Sequence, residues 1–289
     1  MGPSLGFYLQ SAAIALFFSN TVIAELKTHG SCGNSSILVQ DAIHEAKGIA
    51  SNALRHLQHA DPNVNPVLRV LFGEEAIPAQ SDARDMIQSS LDAVVSLDWD
   101  SVKVTFFCGD DFFKPRGDRW YDSYSEALTP PDFEPQCTES GGPLLYAQSW
   151  VEAGTRNGYF ILCPDVWAFV TTYRAGVTIG IQRDGLITGQ ALTFYQGLSG
   201  SILHELLHFA NLDPEGDCDA VVDESFFNGQ PGSSEGREEM AFGFEQCQQL
   251  ALREPEKSPT NADSITLLAI ALFFTESDFS TGIAIPKRY

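Results

Sequence analysis

Between residues 35 and 100 the apolar positions recur with helical spacing. Ile37 to Leu57 places them on one face of an amphipathic helix, with Ser35 or Ser36 available as its cap. A second helix is predicted from about Asp82 to Leu97, where Met86, Leu91, Val94 and Val95 share a face. The period then shortens to two. Val102 to Cys108 alternates and is β-branched or aromatic at several positions, which predicts a strand. Leu144 to Trp150 and Tyr159 to Cys163 predict two more strands, separated by a turn containing Asn157-Gly158. Gly109 to Gly142, rich in Pro, Asp and aromatic residues, reads as a long ordered loop stapled at Cys137. From Thr193 the pattern turns helical again, with helices expected over Leu192 to Asn211, Gly236 to Arg253 and Asn261 to Thr275. Glu254-Pro255 ends the middle one, because proline cannot continue a helix and restrains the residue before it. The chain therefore reads as an α+β protein, predominantly helical. A helical and small-sheet half runs to about residue 190, a helical half covers 191–289, and a cleft is expected between them.

The N-terminus changes where this fold begins. Leu5 to Phe18 is mostly apolar, and Val22 and Ala24 fit a signal-peptidase site, so residues 1–24 read as a secretory leader and 25–289 as the folded domain. All six cysteines lie beyond that point, and no CxxC pair suggests a thiolate metal site. An even count behind a leader points to three disulfides in an oxidising compartment, expected as Cys32–Cys108, Cys137–Cys163 and Cys218–Cys247. The sequon Asn34-Ser35-Ser36 fits the same export route. A formal charge of -21 argues against nucleic acid or an anionic membrane as partner, and favours cationic substrates through long-range attraction. Ile265 to Phe274, the longest late apolar run, is too short to span a bilayer.

The chemistry concentrates in Ser201 to Ala210, which contains His204-Glu205-Leu206-Leu207-His208. Residues four apart lie on one helix face, so the two imidazoles can grip a single metal ion while Glu205 stands beside them as a proton acceptor. Zinc takes imidazole nitrogen readily, and three protein ligands leave a fourth position open. The uncharged neighbours Ile202, Leu203, Leu206, Leu207 and Phe209 mark a helix half buried in the core. For a third ligand there are two candidate stretches: the acidic loop Asp213 to Glu224, where Asp223 and Glu224 are nearest its end, and Gly236 to Gly243.

The second stretch carries a resemblance. Gly236-Arg-Glu-Glu-Met-Ala-Phe-Gly243, then Pro255-Glu-Lys257 and Asn261-Ala-Asp263, resembles the C-terminal half of the deuterolysin-type metallopeptidases (the aspzincins), which include fungal lysine-specific metalloendopeptidases. Their pattern is His-Glu-x-x-His, Gly-Thr-x-Asp-x-x-Tyr-Gly, then Asn-Ala-Asp. The resemblance implies a zincin-like fold with one zinc ion held by His204, His208 and Glu239, and Glu205 as general base. Glu239 stands where the family has aspartate, and Phe242 where it has the tyrosine whose hydroxyl stabilises the transition state. Arg237 replaces a threonine and offers a compensating donor. Asp263 falls where a lysine-preferring member carries its specificity acid; it is equally placed to cap the last helix.

Together these readings imply a secreted, monomeric zinc metalloendopeptidase acting on peptides or proteins, basic ones included, with no nucleic-acid or membrane partner. The alternative is a secreted zinc-binding or surface-interaction protein on a peptidase scaffold that has lost turnover, motivated by Glu239 and Phe242.

Overall fold

The computed structural model describes residues 27–59, 61, 64–123, 126–129, 133–137, 145–152, 154–166, 188–212, 220–229, 236–274 and 276–287. The expected leader and Cys218 lie outside these residues. Helices and strands come in separate runs along the chain, as in an α+β protein. No helix among the described residues is long and apolar enough to cross a membrane.

The main sheet has four strands: β1 (Lys27–Thr28), β2 (Lys103–Cys108), β6 (Leu145–Glu152) and β7 (Thr155–Leu162). Their spatial order is β1-β2-β7-β6, with β1, β2 and β7 parallel and β6 antiparallel to β7. One face is covered by helices. The first, α1 (Ser36–Gln58), packs on α3 (Asp82–Ser96), on the motif helix α4 (Gly197–Ala210) and on the last helix α6 (Ala262–Phe273). A shorter helix, α2 (Asn65–Phe72), has Pro66 in its first turn and buries Val67, Leu68, Leu71 and Phe72. α6 is buried nearly all round, which explains why its sequence is apolar without a polar stripe.

Three local expectations are corrected. Asn157 and Gly158 are not at a turn: both lie inside β7, opposite Lys103 and Val104, and the reversal falls nearer Gly154. Gly158 serves packing, since a Cβ there would come within 3.0 Å of the Phe209 ring on α4. The predicted loop over Gly109 to Gly142 contains a three-stranded sheet, β3 (Phe113–Arg116), β4 (Arg119–Asp122) and β5 (Ala127–Leu128). The helix expected from Gly236 starts later. β9 (Glu238–Met240) pairs antiparallel with β8 (Ser225–Phe227), and α5 (Gly243–Arg253) begins at Gly243, whose φ of +78° interrupts any helix running through it.

Among the described residues two disulfides are present, Cys32–Cys108 and Cys137–Cys163. Cys247 is not bridged as expected: it is a buried free thiol directed at Ala241 O and Asp263 Oδ2. The face of the sheet opposite the helices carries a second, aromatic cluster that includes Phe107, Phe112, Phe113, Phe133 and Tyr146, over which the β3–β5 sheet is laid.

Candidate metal centre

α4 presents His204 and His208 one turn apart, with their Nε2 atoms 3.3 Å from each other. Asp223 Oδ1 stands 3.1 Å from the first and 3.2 Å from the second. Among the described residues this is the one cluster whose ligand atoms converge in this way. Tetrahedral zinc with bonds of about 2.0 to 2.1 Å spaces its ligand atoms about 3.3 Å apart, so the triangle has the size that zinc requires. The tautomers fit as well. His208 Nδ1 faces Val221 O at 3.0 Å, and since a carbonyl only accepts, Nδ1 carries the proton and Nε2 is left as a lone pair. His204 Nδ1 is buried and faces Asp263 Oδ1 at 3.5 Å. A cation on Nε2 would leave the proton on Nδ1, aimed at that carboxylate.

Asp223 reaches the histidines because its segment is clamped to the start of α6. Val222 N–H donates to Thr260 O at 2.9 Å, and Ala262 N–H donates back to Val222 O at 3.0 Å. Glu224 N–H donates to Asn261 Oδ1 at 3.1 Å. The Asn261 amide, fully buried, also donates to Ala241 O and Ser264 Oγ, so one side chain ties the ligand segment, the approach to α5 and α6 together. Asp263 lies two residues on and is 3% exposed. Its Oδ2 accepts from Gly243 N–H at 2.5 Å and its Oδ1 from Gln196 Nε2 at 3.2 Å.

The field at this point is negative. Burial alone lowers the pKa of His204, but hydrogen bonding to Asp223 and Asp263 and the charge of Glu205 outweigh it and raise the value to about 10. Burial likewise lowers His208, and Asp223 and Glu205 raise it to a net upward shift. Burial pushes Asp223 up, but the two histidines hold it well below the ordinary carboxylate range. A site that binds a proton this firmly favours any cation. Glu205 shifts the other way. Burial raises its carboxyl, against the opposing pull of His204, His208 and a bond from the Ala147 backbone on β6.

The centre lies on the floor of a cleft between β6 and α4. A cavity of about 680 Å³ opens on one side, lined in part by Leu145, Gln196, Phe242 and Asp263. A second, of about 400 Å³, opens on the other side, lined by Ala147, Ser149, Leu212 and Val222. Gln136, Tyr146, Glu205 and Asp223 line both.

The structure brings together His204, His208 and Glu205 but does not bring Glu239 to them. Glu239 lies on β9 opposite Phe226, and its carboxylate accepts from Asn228 Nδ2 at 2.8 Å in a separate pocket. The short β8–β9 pairing turns it away, and Asp223 occupies the position expected of it. Arg237 is exposed and outside the cleft lining, held by backbone bonds to Asn228. Phe242 does line the cleft, 48% exposed, with its ring 6.2 Å from that of His204. Asp263 touches the larger cavity, but both its oxygens are engaged from within. Three further residues went unassigned at the level of sequence: Asn261 as a clamp, and Tyr146 and Gln136 as cleft residues. The pair Val221-Val222, β-branched and apolar at the end of an acidic loop, was the signal that Asp223 sits in ordered backbone.

No family model matches this sequence, and no curated protein matches it. Among solved structures, a zinc peptidase from Grifola frondosa matches with a TM-score of 0.41 and 15% identity, over 83% of this chain and 96% of that one. A likeness this shallow carries no argument about the chemistry of this chain.

Proposed function

We propose that this chain is a secreted zinc-dependent metalloendopeptidase, with zinc held by His204, His208 and Asp223 and with Glu205 as general base. The observation that carries the reading is the triangle of two imidazole nitrogens and a carboxylate oxygen, 3.1 to 3.3 Å on a side, with a half-buried glutamate beside it. Zinc in such a site supplies Lewis acidity, polarising a carbonyl and making water acidic near neutral pH. Glu205, its pKa raised by burial, takes a proton from water at the ligand triangle and delivers it to the departing amine nitrogen. His208 and His204 are kept in the ligating tautomer by Val221 O and Asp263. An internal peptide bond suits a cleft that continues on both sides of the centre. Among the described residues β6 pairs with a strand on one side only, so its other edge, apart from the Ala147 backbone bonded to Glu205, is available to hold an extended peptide by backbone hydrogen bonds. The two disulfides fit an extracellular destination.

The test is metal content and cleavage in one preparation. Wild type is expected to carry one zinc per chain and to cleave unfolded protein in a chelator-sensitive way. Glu205→Gln should keep the zinc and lose cleavage. Undiminished cleavage by that variant refutes the assignment of Glu205, and zinc without any cleavage by wild type favours the non-catalytic scaffold instead.

A further inference from the structure

Carbonyl hydrolysis puts negative charge on the carbonyl oxygen, and a fixed hydrogen-bond donor aimed at that oxygen is worth most when the protein holds it in place beforehand. Phe242, half exposed over the cleft, has no hydrogen to give. Tyr146 has a hydroxyl, but it is committed: it donates to Asp110 Oδ2 at 3.0 Å and accepts from Gln136 N–H at 3.3 Å. Ser201 Oγ donates to Gly197 O, and Gln196 Nε2 to Asp263. Of the four residues common to both cavities, two are acids and one is Tyr146. The fourth is Gln136, whose side-chain amide has no partner among the described residues.

The backbone that carries Gln136 is held in place. Three residues before it, Phe133 is 1% exposed, with its ring 4.5 Å from Phe113 and 5.9 Å from Tyr159. One residue after it, Cys137 is bridged to Cys163 at the end of β7, and its N–H donates to Asp110 Oδ2 at 2.8 Å. The Gln136 backbone itself is fixed on the Tyr146 hydroxyl. Asp110 thus gathers Tyr146 and Cys137 on one oxygen and sets the backbone from which the Gln136 amide projects.

We infer that Gln136 is a catalytic residue of the proposed reaction, its side-chain amide donating to the scissile carbonyl oxygen as that oxygen gains charge. The inference rests on the peptidase reading above. It predicts a donor used in the transition state more than in the bound substrate, so its removal acts on kcat and not on KM.

Gln136→Met keeps the length of the side chain and removes the donor. Kinetics on a peptide that wild type cleaves should show kcat reduced on the order of a hundredfold to a thousandfold, with KM within about twofold. Zinc content and melting temperature should match wild type, because the side chain is exposed and its amide has no partner among the described residues. Calorimetry with a phosphinic peptide, whose tetrahedral phosphorus carries an anionic oxygen, should show its affinity falling by a similar factor, while a product peptide binds as before. Glu134→Ala, at the exposed residue two positions earlier, should leave all of these values at wild-type levels. A kcat within about threefold of wild type, or a change confined to KM, overturns the role of Gln136 and leaves the peptidase reading intact. A zinc-loaded wild type that cleaves nothing overturns both.

Discussion

Replacing Asp263 by asparagine separates two roles that its sequence position leaves open. The carboxylate is 3% exposed, takes Gly243 N–H on Oδ2 at 2.5 Å, and turns Oδ1 toward His204 Nδ1 at 3.5 Å. In Asp263→Asn the new amide has to point its NH2 either at Gly243 N–H or at the Nδ1–H of a ligating His204. One buried donor loses its acceptor in either orientation, at about 1 to 3 kcal/mol. Removing the carboxylate behind a ligating histidine lowers metal affinity by about 10 to 100-fold, or roughly 1.4 to 2.7 kcal/mol. Competition against zinc chelators of graded affinity measures the second effect. Thermal unfolding of the metal-free variant measures the first, and a drop of several degrees is expected for a chain of this size. If zinc affinity is unchanged while cleavage moves away from lysine, Asp263 is a substrate acid and the reasoning from burial fails.

The ligand set makes a simple comparison: Asp223→Ala should lose stoichiometric zinc by elemental analysis, whereas Glu239→Ala should retain one equivalent, and the reverse result would restore Glu239. In the metal-free protein the raised pKa of His204, 6.5 to about 10, contributes stability that is full below 6.5 and lost as pH rises toward 10. The depressed Asp223 contributes stability present above its ordinary value of 3.8 and lost as pH falls below it. Chelated protein should therefore soften from pH 6.5 upward, while the melting-temperature gain on adding zinc widens over the same range; a gain independent of pH would refute proton–metal competition. Asn261→Ala should lower stability by about 1 to 3 kcal/mol in chemical denaturation, since it strands buried partners, and should weaken zinc binding with it. With both oxygens of Asp263 engaged beneath Phe242, a peptide library should show large apolar residues accepted at that end at least as well as lysine. A strong lysine preference would contradict this.

How much of this was legible depended on whether the signal was local. α1 and α3 appear within a residue or two of their expected limits because their apolar faces repeat in sequence and need no distant partner to be recognised. His204, Glu205 and His208 were readable for the same reason: a helix fixes the relation between positions four apart. The acid that completes the cluster was not singled out, because its distance from the histidines is set by chain that returns through a loop. Glu239 and Asp223 are both acids downstream of the motif, and sequence spacing cannot say that β9 pairs with β8 while Val222 bridges to Asn261. Gly158 misled in another way. Asn-Gly is a turn dipeptide by local preference, but here the glycine makes room for Phe209, and packing overrides the propensity.

The start of α6 unites stability and chemistry. Asn261 holds the backbone of the segment that carries Asp223, and Asp263, in the first turn of the helix, stands behind His204 and fixes Gly243 at the start of α5. The two sides of the ligand triangle, one from α4 and one from the segment around Asp223, are therefore referred to a single rigid point in a helix that is buried nearly all round. A perturbation there cannot move one ligand alone. It follows that substitutions in the first turn of α6 should change zinc affinity and unfolding free energy together, whereas substitutions at Gln136 or Phe242, both exposed along the cleft, should change turnover and leave both untouched.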